Sequence, residues 1–208
     1  MPNFFVLGTM KAGTTALHRY LRQHPGIFMS QRKEPHYFSA RQPCEWRGPD
    51  PSRDPLMTLE AYQALFSGAR TEKMRGEATP IYLYDAVALE RIGREVPGAK
   101  VIISLRQPVD RAYSAWLMKT RQGWERLSFE DALAAEPSRI AGEWSASWHY
   151  AALGRYRRQL EEVARRFDPE RVKVVLFDDL VRDPLALLRD LFGFLGVDDA
   201  FHPDLAIE

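Results

Sequence analysis

A short apolar run, a glycine-bracketed loop and a helical pattern near the N-terminus most constrain how this chain can fold. Phe4–Leu7 is continuously apolar, which is typical of a strand buried on both faces of a parallel sheet. Gly8 and Gly13 bracket a loop that carries one cation and ends in two hydroxyls, and helical apolar spacing begins at Leu17. This order predicts an anion site, because the free N–H groups of a first helical turn and the helix dipole attract a phosphate-like group.

The position of the lysine in this loop separates two kinds of phosphate chemistry. The loop of nucleotide triphosphatases, G-x-x-x-x-G-K-[ST], places lysine after the second glycine and a hydroxyl on magnesium. Here Lys11 precedes Gly13, and Thr14 and Thr15 follow that glycine directly. The order therefore indicates a different phosphate-binding chemistry. The alternative is a strand, turn and helix in which the lysine and threonines are incidental.

Length and composition exclude several function classes. With 208 residues, 45% of them apolar, the chain can form one globular domain, and we expect that domain to span residues 1–208. A net charge of +1 gives no general signature of nucleic-acid binding, so any anion binding is local. Apolar runs are too short for a membrane span and no signal-peptide pattern is present, so we expect a cytoplasmic protein. Cys44 is the single cysteine, so no disulfide can form within the chain, and a structural role is favoured for this residue.

A second candidate element is the charged and aromatic segment 31–38. It carries two proton acceptors, Glu34 and His36, on either side of Pro35, which disfavours helix at Glu34. A rigid loop with a base beside an anion site is a reasonable catalytic element, and a solvated loop with an aromatic anchor is the alternative. Residues 40–57 contain four prolines and predict an irregular surface excursion.

A second anion site is predicted where the clearest buried strand ends. That strand is Lys100–Leu105, and Pro108 suits the first turn of the helix after it. Open α/β sheets bind ligands at the carboxyl ends of their strands, where Arg106 lies. A guanidinium can hold a phosphate with two hydrogen bonds, and Ser114 lies within reach in the helix. The alternatives are a surface salt bridge for Arg106 and an ordinary helical position for Ser114.

Strands that alternate with helical patterns predict an α/β fold with three layers, helix–sheet–helix, around a mainly parallel sheet. Residues 73–80 predict a strand edge that leads into a turn, and Val172–Phe177 a last buried strand. The helix after Pro108 shows one apolar face, at Val109, Ala112, Tyr113, Trp116 and Thr120. A final helix is predicted to begin at 183–184 and to turn inward Leu185, Leu188, Leu191 and Leu195.

Together these motifs resemble those of the PAPS-dependent sulfotransferases, which use 3′-phosphoadenosine 5′-phosphosulfate (PAPS). Residues 11–15, Lys-Ala-Gly-Thr-Thr, are similar to the family's 5′-phosphosulfate loop, and residues 105–114 to its 3′-phosphate segment. Residues 154–160 and 192–197 are similar to later signatures of bacterial and heparan-type members, and residues 76–80 match the bacterial pattern. The resemblance covers nearly the whole chain and implies the P-loop-like sulfotransferase fold.

The resemblance also implies which residues bind the donor. Loop amides and hydroxyls would hold the 5′-phosphate, at Ala12, Gly13, Thr14 and Thr15. Lys11 would neutralise charge as the leaving group departs. Arg106 and Ser114 would bind the 3′-phosphate. This chemistry requires no metal, and no nucleic-acid partner is expected.

On the acceptor side, Glu34 matches the position of the base in Golgi-type carbohydrate sulfotransferases, and His36 is the second candidate because imidazole suits proton transfer at neutral pH. The acceptor would be a hydroxyl, less often an amine, of a carbohydrate, lipid, phenol or peptide natural product. Candidate acceptor-binding side chains are Glu77, Thr79, Tyr82, Trp148 and Tyr150. For the tryptophans and tyrosines of segment 143–150, packing in the core is favoured over a pocket wall. A homodimer is compatible with this reading.

Two positions depart from the family pattern. Ala78 replaces a lysine of heparan-type members, which makes a glycosaminoglycan acceptor less expected. Family members continue into a glycine-rich, basic loop that closes over the nucleotide. Because the sequence ends at Glu208, we expect either that this lid is missing from the sequence or that the protein is shorter than usual.

Two other functions remain open from the sequence. A metal-dependent P-loop kinase is one, since residues 174–178 resemble a Walker B strand whose Asp178 would serve magnesium. The alternative role for Asp178 and Asp179 is to cap the turn or helix after that strand. A non-catalytic binding domain of the same fold is the other function.

Overall fold

The fold is built around a five-stranded sheet whose strands all run parallel, in the order β2-β3-β1-β4-β5. We describe it from a computed structural model, for residues 1–49 and 55–206. The strands are β1 (Phe4–Gly8), β2 (Ile27–Met29), β3 (Met74–Ala78), β4 (Lys100–Leu105) and β5 (Val172–Leu176). The helices are α1 (Thr14–Leu21), α2 (Leu59–Ala64), α3 (Ala86–Glu95), α4 (Pro108–Arg121), α5 (Phe129–Ala134), α6 (Glu136–Ala141), α7 (Tyr156–Ala164), α8 (Phe177–Arg182) and α9 (Pro184–Leu195).

Two parts of the sequence lie outside the described residues. Residues 50–54 belong to the predicted excursion at 40–57, whose described part contains a short 3₁₀ turn at Pro43–Glu45. Residues 207–208 contain the chain end on which the expectation about the lid depends.

The central strand β1 shows why the sheet needs helices on both faces. Phe5 and Leu7 pack with side chains of α2, α3 and α7, whereas Phe4 and Val6 pack with side chains of α1 and α9. Alternate residues of a strand point to opposite faces, so a strand that is apolar throughout needs two covered faces. The predicted three-layer α/β architecture is confirmed.

The carboxyl ends of three neighbouring strands meet at one edge of the sheet. Phe4 pairs with Gly76 on one side and with Lys100 on the other, so β3, β1 and β4 run in register. The loop after β1, the turn after β3 and Arg106 after β4 therefore arise side by side. The strand that was predicted to lead into a turn at 73–80 is confirmed by β3 and the 3₁₀ turn Pro80–Leu83, but β3 is interior rather than at an edge, because β2 pairs with its outer side.

Two predictions of buried surfaces were also wrong. Strand β5 is at the edge of the sheet and pairs with β4, and its Val174 and Leu176 are 45% and 49% exposed. The outer side of an edge strand lacks a neighbour that would cover such side chains. On the last helix, Leu185 is 38% exposed.

Helix α4 turns a different face inward from the one predicted. Val109 and Tyr113 are exposed, while the helix buries Arg111, Ala112, Ala115 and Lys119. The helix packs against the 3₁₀ turns Ala146–Trp148 and Ala152–Gly154. Arg111 donates to the Tyr150 carbonyl between these turns, and Lys119 Nζ lies 4.3 Å from the centroid of the Trp148 ring. A pattern of apolar residues alone does not reveal a face that buries the long side chains of cations.

Gly13 has a backbone conformation that favours glycine. Its φ is 79°, and a Cβ atom there would lie 2.7 Å from Leu180 Cδ2 and 3.0 Å from Phe177 Cδ2. We expect Gly13→Ala to lower the free energy of unfolding by about 1–3 kcal/mol, measured by urea denaturation. Gly193→Ala is the matched control, because a Cβ atom there meets nothing within 4 Å on α9. The control should gain about 0.5–1 kcal/mol, and equal losses in both variants would contradict this account.

Candidate active site

The loop between β1 and α1 presents backbone donors at the N-terminus of a helix. Gly13 is the N-cap of α1 in the left-handed conformation, and no side chain caps this end. The first-turn N–H groups are therefore available to a ligand, as the sequence predicts. The Ala12 amide differs, because it donates to the Thr9 carbonyl at 3.2 Å. The hydroxyls of Thr14 and Thr15 border the same cavity.

Side chains at the end of β4 hold this loop by its carbonyl groups. Ser104 Oγ donates to the Ala12 carbonyl at 2.5 Å, and Arg106 Nη1 donates to the Lys11 carbonyl at 3.1 Å. Because C=O and N–H of a trans peptide point in opposite directions, binding the Ala12 carbonyl turns the Gly13 N–H away from β4. The loop is thus oriented by its neighbour strand.

Arg106 itself is held from two further sides. Its guanidinium carbon lies 4.5 Å from the centroid of the Phe177 ring, and its carbonyl accepts a hydrogen bond from Tyr156 Oη at 2.6 Å. Stacking on an aromatic face restrains a guanidinium while leaving its N–H groups able to bind an anion. Arg106 is therefore a pre-positioned cation at the carboxyl edge of the sheet.

Six of the seven predicted donor-binding residues border one cavity of about 390 Å³, which we call the loop cavity; the seventh, Ala12, is fully buried and does not line it. Its lining residues are Met10, Lys11, Gly13, Thr14, Thr15, Lys33, Glu34, Pro80, Arg106, Ser114, Met118 and Phe177. Burial, followed by repulsion from the Arg106 guanidinium, lowers the pKa of Lys11 from its ordinary value. Cations gathered at this density destabilise one another, which is expected of a site that receives an anion.

The loop at 31–38 places both candidate bases together. His36 Nε2 lies 3.8 Å from Glu34 Oε2, and Lys33 forms an ion pair with the same carboxylate. His36 is buried, and its ring meets the Trp46 ring edge-on at a centroid distance of 5.1 Å. The structure thus brings Glu34 and His36 side by side, with Glu34 more exposed.

The three candidate catalytic residues share an uncommon backbone conformation. Lys11, Glu34 and His36 have φ values of 71°, 56° and 59°. Left-handed conformations at residues other than glycine cost of the order of 1–3 kcal/mol each and cluster at functional sites. This strain is independent support for the loops singled out from the sequence.

A second cavity of about 380 Å³, which we call the aromatic cavity, adjoins the first. Its lining residues are Met10, Arg32, Lys33, Glu34, His36, Pro43, Trp46, Ile81, Met118, Lys119, Gln122, Trp124, Ser145 and Ser147. Four residues border both cavities, namely Met10, Lys33, Glu34 and Met118. The Glu34 carboxylate therefore stands where the two cavities meet.

The five candidate acceptor-binding side chains lie inside the protein. Trp148 stacks against Lys119 and Arg139, and Tyr150 donates to Glu125 at 3.0 Å. The other three form a polar cluster at the end of β3, described below. All five are at most 1% exposed, and the structure does not bring them to the lining of either cavity.

Glu77 is a fully buried carboxyl group surrounded by hydroxyls. Tyr62 Oη and Thr79 Oγ1 donate to it at 2.6 and 2.7 Å. Burial raises its pKa from 4.5 to about 7, and the charge of Glu34 adds to the rise, whereas hydrogen bonds from Thr79, Tyr62 and Tyr82 oppose it. The ionised form is therefore costly inside this fold.

This shift makes the stability of the protein depend on pH. Between pH 4.5 and 7 the unfolded state loses the Glu77 proton first, so the free energy of unfolding falls with rising pH, by about 3 kcal/mol from this group. Glu77→Gln should remove that part of the dependence, measured by urea denaturation at pH 5 and pH 8. Glu90→Gln, at an exposed position of α3, is the control. An unchanged pH slope in Glu77→Gln would contradict the assignment.

Sequence reasoning missed several cavity residues. Lys33 lines both cavities, and its position next to Glu34 in the charged segment 31–38 is the only signal of this in the sequence. Lys119 comes from the end of α4, Trp124 from the turn after it, and Phe177 from the start of α8. No local pattern marks these residues, because the fold alone brings them to the site.

Within residues 1–49 and 55–206, no helix has the length and apolar character needed to cross a membrane. In the same part of the chain, no three His, Cys, Asp or Glu side chains are grouped so that they could bind a metal ion.

Comparison with known proteins supports the resemblance. A sulfotransferase crystal structure from Alicyclobacillus acidocaldarius matches with a TM-score of 0.95 and 40% identity, covering 100% of this chain and 86% of that chain. The membrane-associated sulfotransferase kil1 of Dictyostelium discoideum is 31% identical, over 78% of this chain and 34% of that protein. Mouse heparan sulfate glucosamine 3-O-sulfotransferase 3B1 is 29% identical, over 95% of this chain and 46% of that protein.

The chain thus spans less than half the length of these two curated relatives. The model of the sulfotransferase family matches residues 2–202, which includes both predicted anion-binding segments and the Glu34 loop. With this match over nearly its whole length, the chain belongs to the sulfotransferase family.

Proposed function

We propose that the protein transfers a sulfuryl group from PAPS to an acceptor hydroxyl, with Glu34 as the base. The observation that carries this proposal is the junction of the two cavities at Glu34. A transfer between two bound molecules needs adjoining sites and a proton acceptor between them. The loop cavity would hold the donor, and the aromatic cavity the acceptor.

The residues of the loop cavity fit the chemistry of PAPS, which has phosphate groups at two ends. Gly13, Thr14 and Thr15 offer backbone and hydroxyl donors, and Arg106 and Ser114 add a guanidinium and a second hydroxyl side chain to the same cavity. When bound, PAPS supplies an activated sulfuryl group and a phosphate leaving group. The donors and cations of the loop cavity therefore suit a ligand that carries more than one phosphate group.

One side chain acts on the acceptor and another on the leaving group. Glu34 takes the proton of the acceptor hydroxyl as the acceptor oxygen bonds to sulfur and the bond from sulfur to the phosphate oxygen breaks. Lys11 stabilises the negative charge that remains on that phosphate oxygen. The His36 ring, whose Nε2 lies 3.8 Å from the Glu34 carboxylate, then accepts this proton from Glu34.

The aromatic cavity indicates which acceptors fit. Trp46 and Trp124 contribute aromatic side chains to the lining, and Arg32, Gln122 and Ser145 contribute polar ones. A cavity lined by tryptophans and polar side chains suits a sugar ring or a phenol. We propose a carbohydrate or aromatic hydroxyl as acceptor.

The test is transfer of ³⁵S from labelled PAPS to a panel of sugars, phenols and lipids that bear hydroxyls. We expect labelled product with at least one sugar or phenol, and none above background with Glu34→Gln. Label transfer at equal rates by wild type and Glu34→Gln would overturn Glu34 as base. Absence of transfer, combined with absence of binding of 3′-phosphoadenosine 5′-phosphate (PAP), would overturn the function.

A further inference from the structure

We propose that Glu143 is a positioning residue that holds segment 41–47 in place as one wall of the aromatic cavity. We call this segment the strap. The inference rests on the proposed function, in which the aromatic cavity receives the acceptor. Glu143 itself lines neither cavity, so it acts on acceptor binding only through the strap.

Backbone strain singles out Glu143. In the described part of the chain, four residues other than glycine have a positive φ. Three of them are the candidate catalytic residues, and the fourth is Glu143, with a φ of 59°. A left-handed conformation at such a residue persists only where the surrounding contacts hold it, and it is found most often at functional sites. The contacts that Glu143 makes therefore indicate its role.

The Glu143 carboxylate bridges two arginines of the strap. Arg41 Nη2 donates to Glu143 Oε1 at 2.5 Å, and Arg47 Nε lies 3.5 Å from Glu143 Oε2. These arginines stand at the two ends of the strap, so one carboxylate fixes both ends. The hydrogen bond from Arg41, followed by the charge of the same guanidinium, lowers the pKa of Glu143, which keeps the carboxylate ionised at neutral pH.

Backbone hydrogen bonds make the same connection. The Arg47 N–H donates to the Glu143 carbonyl at 3.2 Å, and the Ser145 N–H donates to the Arg47 carbonyl at 3.0 Å, so the two segments form a short parallel bridge. The strap is also attached within its own loop. Gln42 Nε2 donates to the Met57 carbonyl at 3.2 Å, and Gln42 Oε1 accepts from the Met57 N–H.

The strap and its partner segment line the aromatic cavity together. Pro43 and Trp46 come from the strap, and Ser145 and Ser147 come from the segment bonded to it. The parallel bridge therefore joins two parts of the lining. The Trp46 ring also packs edge-on against the His36 ring, beside the candidate base. Movement of the strap would thus change the cavity where the acceptor hydroxyl has to lie.

The ion pairs of the strap are exposed, which sets the size of their effect. Exposed ion pairs are screened by salt, and each shifts an equilibrium by up to about fivefold. The backbone bridge remains when the carboxylate is neutralised, so we expect the strap to loosen rather than to detach. A looser wall weakens acceptor binding and leaves the loop cavity unchanged.

Glu143→Gln keeps the size of the side chain and removes its charge. We expect an about 2–5-fold higher KM for the sugar or phenol that accepts label in the ³⁵S panel, with PAP affinity unchanged. The Arg47 and Ser145 amides should exchange faster with solvent hydrogen, and the β4 amides should not. At saturating PAPS, added NaCl should raise the acceptor KM of wild type more than that of the variant.

Glu161→Gln is the matched control. Glu161 also accepts from an exposed arginine, Arg157 Nε at 2.9 Å, but it lies on α7 and lines neither cavity. We expect this variant to keep the acceptor KM, the salt dependence and the amide exchange of wild type. Equal changes in both variants would contradict a specific role for Glu143.

Two further variants distinguish positioning from a contribution to folding. Glu143→Gly removes the carboxylate but adopts a positive φ without strain, so the acceptor KM should rise while the thermal unfolding midpoint stays close to that of wild type. Combined with Arg41→Gln, Glu143→Gln should behave as it does alone, because the second change removes a contact that is already lost. Additive effects of these two changes, or a wild-type acceptor KM in Glu143→Gln, would overturn the proposal.

The readouts separate this inference from the proposed function. Amide exchange needs neither donor nor acceptor, so it reports on the strap even if no transfer occurs. Faster exchange of Arg47 and Ser145 in Glu143→Gln, together with no transfer by wild type, would reject the function and retain Glu143 as the residue that holds the strap. Transfer by wild type with unchanged exchange and acceptor KM in Glu143→Gln would reject the positioning role alone.

Discussion

Glu34→Gln should lower kcat for sulfuryl transfer by about 10²–10⁴-fold, the range that a positioned general base contributes. The amide keeps the size of the side chain but cannot take the acceptor proton. Its backbone contact, the amide hydrogen bond to the Ala78 carbonyl, is unchanged. The measurement is ³⁵S transfer from PAPS under single-turnover conditions, so that chemistry is observed rather than product release.

The control for Glu34→Gln is PAP affinity. We expect PAP to bind wild type and variant equally, because Glu34 faces the junction of the cavities and carries no phosphate-binding group. A loss of less than tenfold would mean that His36, the neighbouring candidate, is the base. In that case His36→Gln would show the larger effect.

Lys11→Met should lower the transfer rate by about 10²–10³-fold, as removal of a single oriented donor to a developing anion does in other enzymes. Methionine keeps much of the apolar stem while removing the ammonium. Because burial and Arg106 already lower the pKa of Lys11, loss of its charge should leave the folded state at least as stable. The measurements are the single-turnover rate and the thermal unfolding midpoint.

Lys73→Met is the matched control for this variant. Lys73 lies before β3, at the opposite edge of the sheet from the site, and donates to the Gly196 carbonyl at 2.7 Å. We expect transfer by this variant at the wild-type rate. A rate loss for Lys11→Met that matches a fall in its thermal midpoint would instead indicate misfolding.

The sequence predicts the central part of the fold well, because continuous apolar runs leave few choices. Phe4–Leu7 and Lys100–Leu105 are buried in the middle of the sheet, and helix α1 begins where the glycine loop ends. The predictions at β5 and α4 were wrong for one reason. Whether a face of a strand or helix is buried depends on the elements that pack against it. The spacing of apolar residues in the sequence shows neither that β5 is an edge strand nor that Arg111 is buried.

The candidate site was predictable where its residues come from local motifs at strand ends. Lys11, Gly13 and Thr14 are adjacent in sequence, and register places Arg106 beside them. The acceptor side was not predictable in this way. Trp46 and Trp124 line one cavity although 78 positions separate them in the chain, and only the fold brings such residues together.

The central claim is that the loop cavity holds a nucleotide with phosphates at both ends, and PAP binding without metal tests it most directly. We expect PAP to raise the thermal unfolding midpoint of the protein in the presence of EDTA, because a ligand that binds only the folded state stabilises it. Arg106→Ala should lose most of that shift. ATP with magnesium should give none. A shift with magnesium and ATP but none with PAP would contradict the account and favour the kinase.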